Sequence, residues 1–251
     1  MSAAAPLPLV AVAHGSRDPR SSACVRDLTR AVRKAAPELE VRTAFLDLSE
    51  PKVTDVLTGL HAEGHQGAVV VPLLLGSAFH ARVDLPALIE QVTAAAPGFR
   101  VPVAEVLGID PALESLAADR LSETGADLTD PGLGVVLAAV GSSSTAANDA
   151  VSRMARRWQR RHRVAGVAPA FASTSPDVQA AIARLRARGA RRFAVASWFL
   201  APGLLPDRVA AHAAEVDPGI PIAAPLGAEP RVADLVLRRY DQIVASAVRS
   251  A

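Results

Sequence analysis

The sequence predicts an α/β protein built as two tandem copies of one fold, and three observations carry that expectation. Short Val-rich apolar runs alternate with longer Ala-, Leu- and Arg-rich stretches of helical period. The runs are apolar on both faces, as parallel strands covered by helices on each side are. The order of motifs in the first half then recurs in the second, which implies an internal duplication.

In the first copy the pattern places strands at 7–13, 41–46, 68–75 and 101–106. Helices are expected at 21–36, 51–63, 83–96 and 111–122. Pro51 and Pro111 mark two of the helix starts, because the fixed φ of proline suits a first turn. Each copy therefore reads as a mainly parallel four-stranded sheet flanked by helices. In the second copy GVVLAAVGSSST answers LVAVAHGSRD, APAFASTSPDVQAAIARL answers TAFLDLSEPKVTDVLTGL, FAVASWFLAPGLLPDRV answers GAVVVPLLLGSAFHARV, and PLGAEPRV answers VLGIDPAL. The expected domains are 1–125 and 133–251, joined by the polar, turn-rich segment SETGADLTDPG.

Composition narrows the function. Half of the 251 residues are apolar and about a fifth are charged, so a substantial core can form. No apolar run approaches the ~18 residues of a membrane span, and no basic segment precedes the first apolar run. These features lead us to expect a cytoplasmic protein with no signal peptide and no membrane partner. One cysteine, Cys24, excludes an intramolecular disulfide and a thiolate cluster, so any metal must rely on His, Asp or Glu. Residues 1–125 carry 11 Lys and Arg against 15 Asp and Glu, while the remainder carries 16 against 10. Much of the basic excess lies at Arg153, Arg156, Arg157, Arg160, Arg161 and Arg163 and in ARLRARGARR. Only Trp158 is interleaved with these arginines, so they read as solvated helix faces and no nucleic-acid partner is expected.

The stretch LVAVAHGSRDPR ends a buried run on His14, where a strand must emerge. Open parallel sheets bind ligands outside the carboxyl ends of their strands. His14 follows the first strand and His80 the third; in a 2-1-3-4 strand order these strands are neighbours, and two imidazoles facing one cleft form an open site suited to Fe, Co or Ni. Aligning Gly15-Ser16 with Gly141-Ser142 sets Val140 opposite His14 and Leu205 or Pro206 opposite His80. Strand geometry therefore does not require either histidine.

Gly15, Ser16 and Arg17 form a candidate anion site at a strand-to-helix turn. Gly76, Ser77 and Arg82, around the loop of His80, are the companion substrate-binding candidates. Asp47, Glu50 and Glu105 fall at or near strand ends, where carboxylates can assist proton removal. Neither G-x-x-x-x-G-K-[ST] nor G-x-G-x-x-G occurs, so no nucleotide and no tightly bound cofactor is expected. Ser16 lacks the G-x-S-x-G elbow of a nucleophile. His61 and His65 have the i, i+4 spacing of a metal pair, but Gly64 ends their helix and the sequence offers no third ligand, so they read as surface residues.

Together, AHGSRDPR at the first strand end, FLDLSEPKV on the second, VVPLLLGSAFHARVDLP at the third and LGIDP after the fourth resemble the sirohydrochlorin chelatases of the class II chelatase family, in their long two-domain form. The resemblance implies insertion of Fe2+ or Co2+, with Ni2+ also suited, into the octacarboxylate tetrapyrrole sirohydrochlorin, with loss of two pyrrole protons and without ATP. It implies that His14 and His80 handle the metal and the protons, that the metal is a substrate, and that the C-terminal copy is degenerate. Fusion of the two copies is consistent with a monomer. Two alternatives stand beside this reading. One is a non-catalytic carrier of metal or tetrapyrrole; the other is a histidine phosphatase, whose R-H-G motif is here A-H-G because Ala13 precedes His14.

Overall fold

The computed structural model describes residues 6–76 and 83–249. Strands β1 (Leu9–Ala13), β2 (Val41–Phe45) and β3 (Val69–Pro72) form a parallel sheet in the order β2-β1-β3. Leu9 lies in register with Val41 on one side and Val69 on the other. Helices α1 (Pro19–Ala35), α2 (Val53–Ala62) and α3 (Leu85–Ala95) alternate with these strands. The pattern then recurs. Strands β4 (Leu133–Ala139), β5 (Gly166–Phe171) and β6 (Arg192–Trp198) pair in the order β5-β4-β6, with α5 (Thr145–Arg161), α6 (Val178–Ala187) and α7 (Leu204–Val216) between and after them. Two further helices, α4 (Pro111–Ser122) and α8 (Pro230–Arg249), complete the chain.

Local chemistry accounts for the helix starts. Asp18 caps α1 by accepting from the Arg20 N–H, with Pro19 in the first turn, so the helix begins two residues before the expected Ser21. Its inward face repeats as Val25, Leu28, Thr29 and Val32. Asp110 caps α4 through the Ala112 N–H, and Pro111 opens that helix as expected. Pro51 does not open α2. Its carbonyl accepts from the Phe45 N–H, which holds Pro51 in the loop, and Lys52 becomes the cap residue.

The expected fourth strand is broken. Segment 101–106 runs parallel to β3, and 67–100 and 70–103 pair only as isolated bridges. Arg100 donates to Gln66 and accepts from Ala68; Pro102 accepts from Val70, and Ala104 donates back to Val70. The rung that would join the two bridges needs an N–H at position 102, and proline has none. Pro221 stands at the matching place beside β6, accepting from Val195 next to the Val195–Ile222 bridge. Each regular sheet thus has three strands rather than four.

The compact units do not follow the sequence repeat. The segment between Gly108 and Gly227 forms one unit, and the flanking segments together form the other. Each copy's last helix therefore completes the unit of the other copy. Helix α4 packs on β6; it buries Leu113, Leu116, Ala117 and Leu121, and Glu114, 5 % exposed, accepts from Arg157 of α5. Helix α8 packs on α1 and β3. Arg239 donates from Nε to the Val106 carbonyl and from Nη2 to that of Leu107, and Tyr240 donates from its hydroxyl to Leu7 at 2.7 Å. The repeat boundaries at 1–125 and 133–251 describe the duplication; the packing cuts the chain elsewhere.

Candidate functional site

At the carboxyl ends of β1 and β2 the chain converges on His14. β1 is the central strand, buried along its whole length, so the residue after Ala13 emerges at the middle of the sheet's edge. His14 is partly buried, with Nδ1 shielded from solvent. Its carbonyl accepts from the Asp47 N–H at 2.9 Å, so the loop after β2 lies against it. Gly15 makes this approach possible. Its φ is +95°, and a Cβ there would sit 1.7 Å from the Asp47 carbonyl oxygen, so any side chain would drive the two loops apart.

Residues 47–49 and 14–16 are tied from both sides. The Ser16 N–H donates to Ser49 Oγ, and Ser49 Oγ donates to the Ser16 carbonyl, both at 3.1 Å. The hydroxyl of Ser16 accepts from the Asp18 N–H at 3.0 Å. Arg17 is exposed, with no ion pair or hydrogen bond among the described residues. Its donors are therefore open to solvent. Gly76 is exposed beyond the end of β3. His80, Ser77 and Arg82 lie outside the described residues.

Electrostatics keep this corner charged. The Asp47 carboxyl is held below its ordinary 3.8 chiefly by the Leu48 N–H, then by Lys52 Nζ at 3.6 Å and by His14. Hydrogen bonds from the Arg20 side chain and backbone hold Asp18 below the same value. A partly buried imidazole, an ionised carboxylate and an exposed guanidinium therefore share one strand-end surface. Such a set can ligate a divalent cation, accept a proton and pair with a carboxylate. Glu50 is exposed with Lys52 3.8 Å away, and Glu105 is exposed on the broken fourth segment.

The loop after β2 holds a residue that sequence reading missed. Leu48 has φ +58° and is the one non-glycine residue with positive φ among the described residues. It sits at the centre of a three-residue turn closed by the Ser49 N–H donating to the Asp47 carbonyl at 2.7 Å. This conformation costs a bulky L-residue about 1–2 kcal/mol. Neither apolar patterning nor turn composition signals it, because leucine is a poor residue for the position.

His61, His65 and His162 make contacts within the fold. His61 packs on Phe99 at 5.3 Å between ring centroids. His65 Nε2 lies 3.2 Å from Glu40 Oε2, and Glu40, Glu63 and His65 bring ligand atoms within 4.8 Å of one another. Arg42 already pairs with both carboxylates, at 2.5 Å from Glu40 and 2.7 Å from Glu63, and it lies at the strand end opposite His14. His162 meets Trp158 edge-on, and burial pushes its pKa down. Burial also pushes the Cys24 thiol up, so the cysteine is not an activated nucleophile.

The architecture places the chain among open parallel α/β proteins, a class that binds ligands beyond the carboxyl ends of its strands. The protein belongs to the CbiX family, whose sequence model matches residues 8–124 and 134–243, one match per copy. It is 25 % identical over 202 residues to a sirohydrochlorin cobaltochelatase of Priestia megaterium, covering 79 % of this chain and 65 % of that one. It is 27 % identical over 210 residues to the sirohydrochlorin ferrochelatase of Bacillus subtilis, covering 81 % and 78 %. The fold matches SirB from Bacillus subtilis with Fe3+ at a TM-score of 0.83 and 22 % identity, over 96 % of this chain and 97 % of that one. No described helix is long and apolar enough to cross a membrane.

Proposed function

We propose that this protein is a sirohydrochlorin chelatase, inserting a divalent metal, Fe2+ or Co2+ with Ni2+ as a third candidate, into sirohydrochlorin without ATP. The observation that carries the reading is the position of His14 at the end of the central strand, beside Asp47, where the second copy has Val140. Two relatives, one named sirohydrochlorin cobaltochelatase and one sirohydrochlorin ferrochelatase, support the substrate. Metal is a substrate here, and the balance is simple: one M2+ enters the macrocycle and two pyrrole protons leave.

In this reading residues 1–125 carry the reaction and 133–251 do not. His14 and His80 present the metal and take up the protons, with Asp47 as an ionised neighbour. Arg17 and Arg82 pair with the carboxylates of the substrate, and Gly15, Ser16, Gly76 and Ser77 are the companion substrate-binding residues. The hydroxyl of Ser16 is engaged by its own turn, so Ser16 acts through loop geometry. We assign the reaction to a single chain in the cytoplasm, where one cysteine and no disulfide suffice.

The test is anaerobic incubation of the full chain with sirohydrochlorin and Fe2+, Co2+ or Ni2+ in turn, followed by absorbance. Metallation faster than the protein-free rate is expected with at least one metal. Tight binding of the tetrapyrrole with no acceleration would instead establish a carrier.

A further inference from the structure

We infer that Leu48 is a substrate-contact residue, offering an apolar side chain to the flat face of the tetrapyrrole beside His14. The inference rests on the chelatase reading above and names a contact that this reading does not require.

The backbone at Leu48 is held in a conformation that glycine or asparagine adopts readily and leucine does not. A strained leucine is ordinarily explained by a core that needs its side chain, yet Leu48 is 44 % exposed. The fold instead secures the backbone and leaves nearly half of the residue's surface open to solvent. The Leu48 N–H donates to Asp47 Oδ1 at 2.7 Å, the Ser49 N–H donates to the Asp47 carbonyl, and Ser49 Oγ is locked to Ser16. Gly15 gives the loop its seat. Strain that the surroundings over-determine, on a side chain left nearly half exposed, points to an external contact.

The second copy provides the control. In both copies the phenylalanine ending the second strand donates its N–H to a proline carbonyl, Phe45 to Pro51 and Phe171 to Pro176. The loop between these anchors is residues 46–50 in the first copy and 172–175 in the second, one residue shorter. The shorter loop has no non-glycine residue with positive φ. The longer loop and the histidine therefore occur in the same copy. A tetrapyrrole has an apolar face and a carboxylate rim, and this corner offers an exposed leucine with an exposed arginine, Arg17, close by in sequence to His14.

Leu48→Gly and Leu48→Asn tolerate the backbone conformation while removing the apolar side chain, and Leu48→Met retains it. On the full chain, sirohydrochlorin binding is titrated by absorbance, KM is measured for tetrapyrrole and metal separately, and thermal melting is recorded. The Gly and Asn variants should raise the tetrapyrrole Kd and KM roughly tenfold, the scale expected for losing a buried side-chain contact. Their metal KM should move less than twofold, their kcat far less than their tetrapyrrole KM, and their melting temperature should not fall. The Met variant should bind within threefold of wild type. Wild-type protein that metallates sirohydrochlorin, together with Gly and Asn variants that bind it equally well, overturns this inference and leaves the chelatase reading standing. Wild-type protein that neither binds nor metallates sirohydrochlorin overturns both.

Discussion

The ends of β1 and β4 are the same structural position in two copies, and they spend their polar groups differently. After β1 the chain places a partly buried His14, an exposed Arg17 and, across from them, the exposed Asp47 carboxylate. After β4 it exposes Val140, 45 % accessible, and its polar groups close on the backbone. The Ser142 N–H donates to Asn148 Oδ1, and Asn148 Nδ2 donates back to the Ser142 carbonyl. Ser173 donates from both its N–H and its hydroxyl to the Val140 carbonyl. Arg208, the arginine of the repeated loop, donates from Nη1 to the Ala172 carbonyl at 3.1 Å. One scaffold thus supports either a strand end that leaves polar groups open to solvent or a self-satisfied one. The features they share, a glycine with positive φ at 15 and 141 and a serine accepting from the N–H two residues on at 16 and 142, belong to the turn rather than to chemistry.

The comparison breaks most completely at the histidine. His14→Ala should lower the metallation rate by about a hundredfold or more, the range for losing an acid–base group, with an unchanged melting curve because Val140 shows that the turn accepts an apolar residue. Adding Val140→His to that variant should restore nothing, since the second copy lacks both the longer loop and the carboxylate beside it. Normal turnover by His14→Ala in an absorbance assay would remove the site assignment.

The two glycines give the next largest effect. Gly15→Ala meets a backbone oxygen, so it should cost about 3 kcal/mol and also impair metallation. Gly141→Ala meets the side chains of Phe171, Thr174 and Ser173 at 2.8–3.0 Å, where some give is available; it should cost about 2 kcal/mol and leave kinetics unchanged. Denaturant unfolding with parallel kinetics separates the pair. Equal kinetic damage from both would show that the two strand ends act together.

Arg208→Ala should remove about 1 kcal/mol of stability through its lost hydrogen bond and leave the KM for sirohydrochlorin unchanged. A raised KM with full stability would instead place the second strand end in contact with substrate.

Acid gives the smallest difference. Asp18 and Asp47 have folded pKa values depressed below 3.8, so their contribution is present above that value and lost as pH falls through the lower folded values. The matching positions of the second copy are Ser144 and Ser173, which do not titrate in this range. Between pH 5 and 2, hydrogen exchange corrected for intrinsic rates should therefore show the amides of 14–20 and 46–52 losing protection before those of 141–147 and 172–178.

Sequence alone determined much of this protein, because the relevant signals are local. Alternating apolar runs marked the three regular strands of the first copy, and Asp110-Pro111 opened a helix as its capping chemistry requires. The repeat aligned His14 with Val140 and so separated the histidine from strand geometry. Pro102 was also legible in principle, as the missing donor that breaks the fourth strand, although the apolar pattern around it outweighed the signal. What only the tertiary structure decided are pairings between distant segments. An amphipathic pattern states that a helix has a buried face but not which sheet that face covers, so the exchange of α4 and α8 between the units could not be read from either helix. The partners that fix it, Glu114 with Arg157 and Tyr240 with Leu7, are far apart in sequence. The strained turn at Leu48 was hidden for the same reason. Its conformation is imposed by Gly15 and Ser16, over thirty residues away, against the preference of leucine itself.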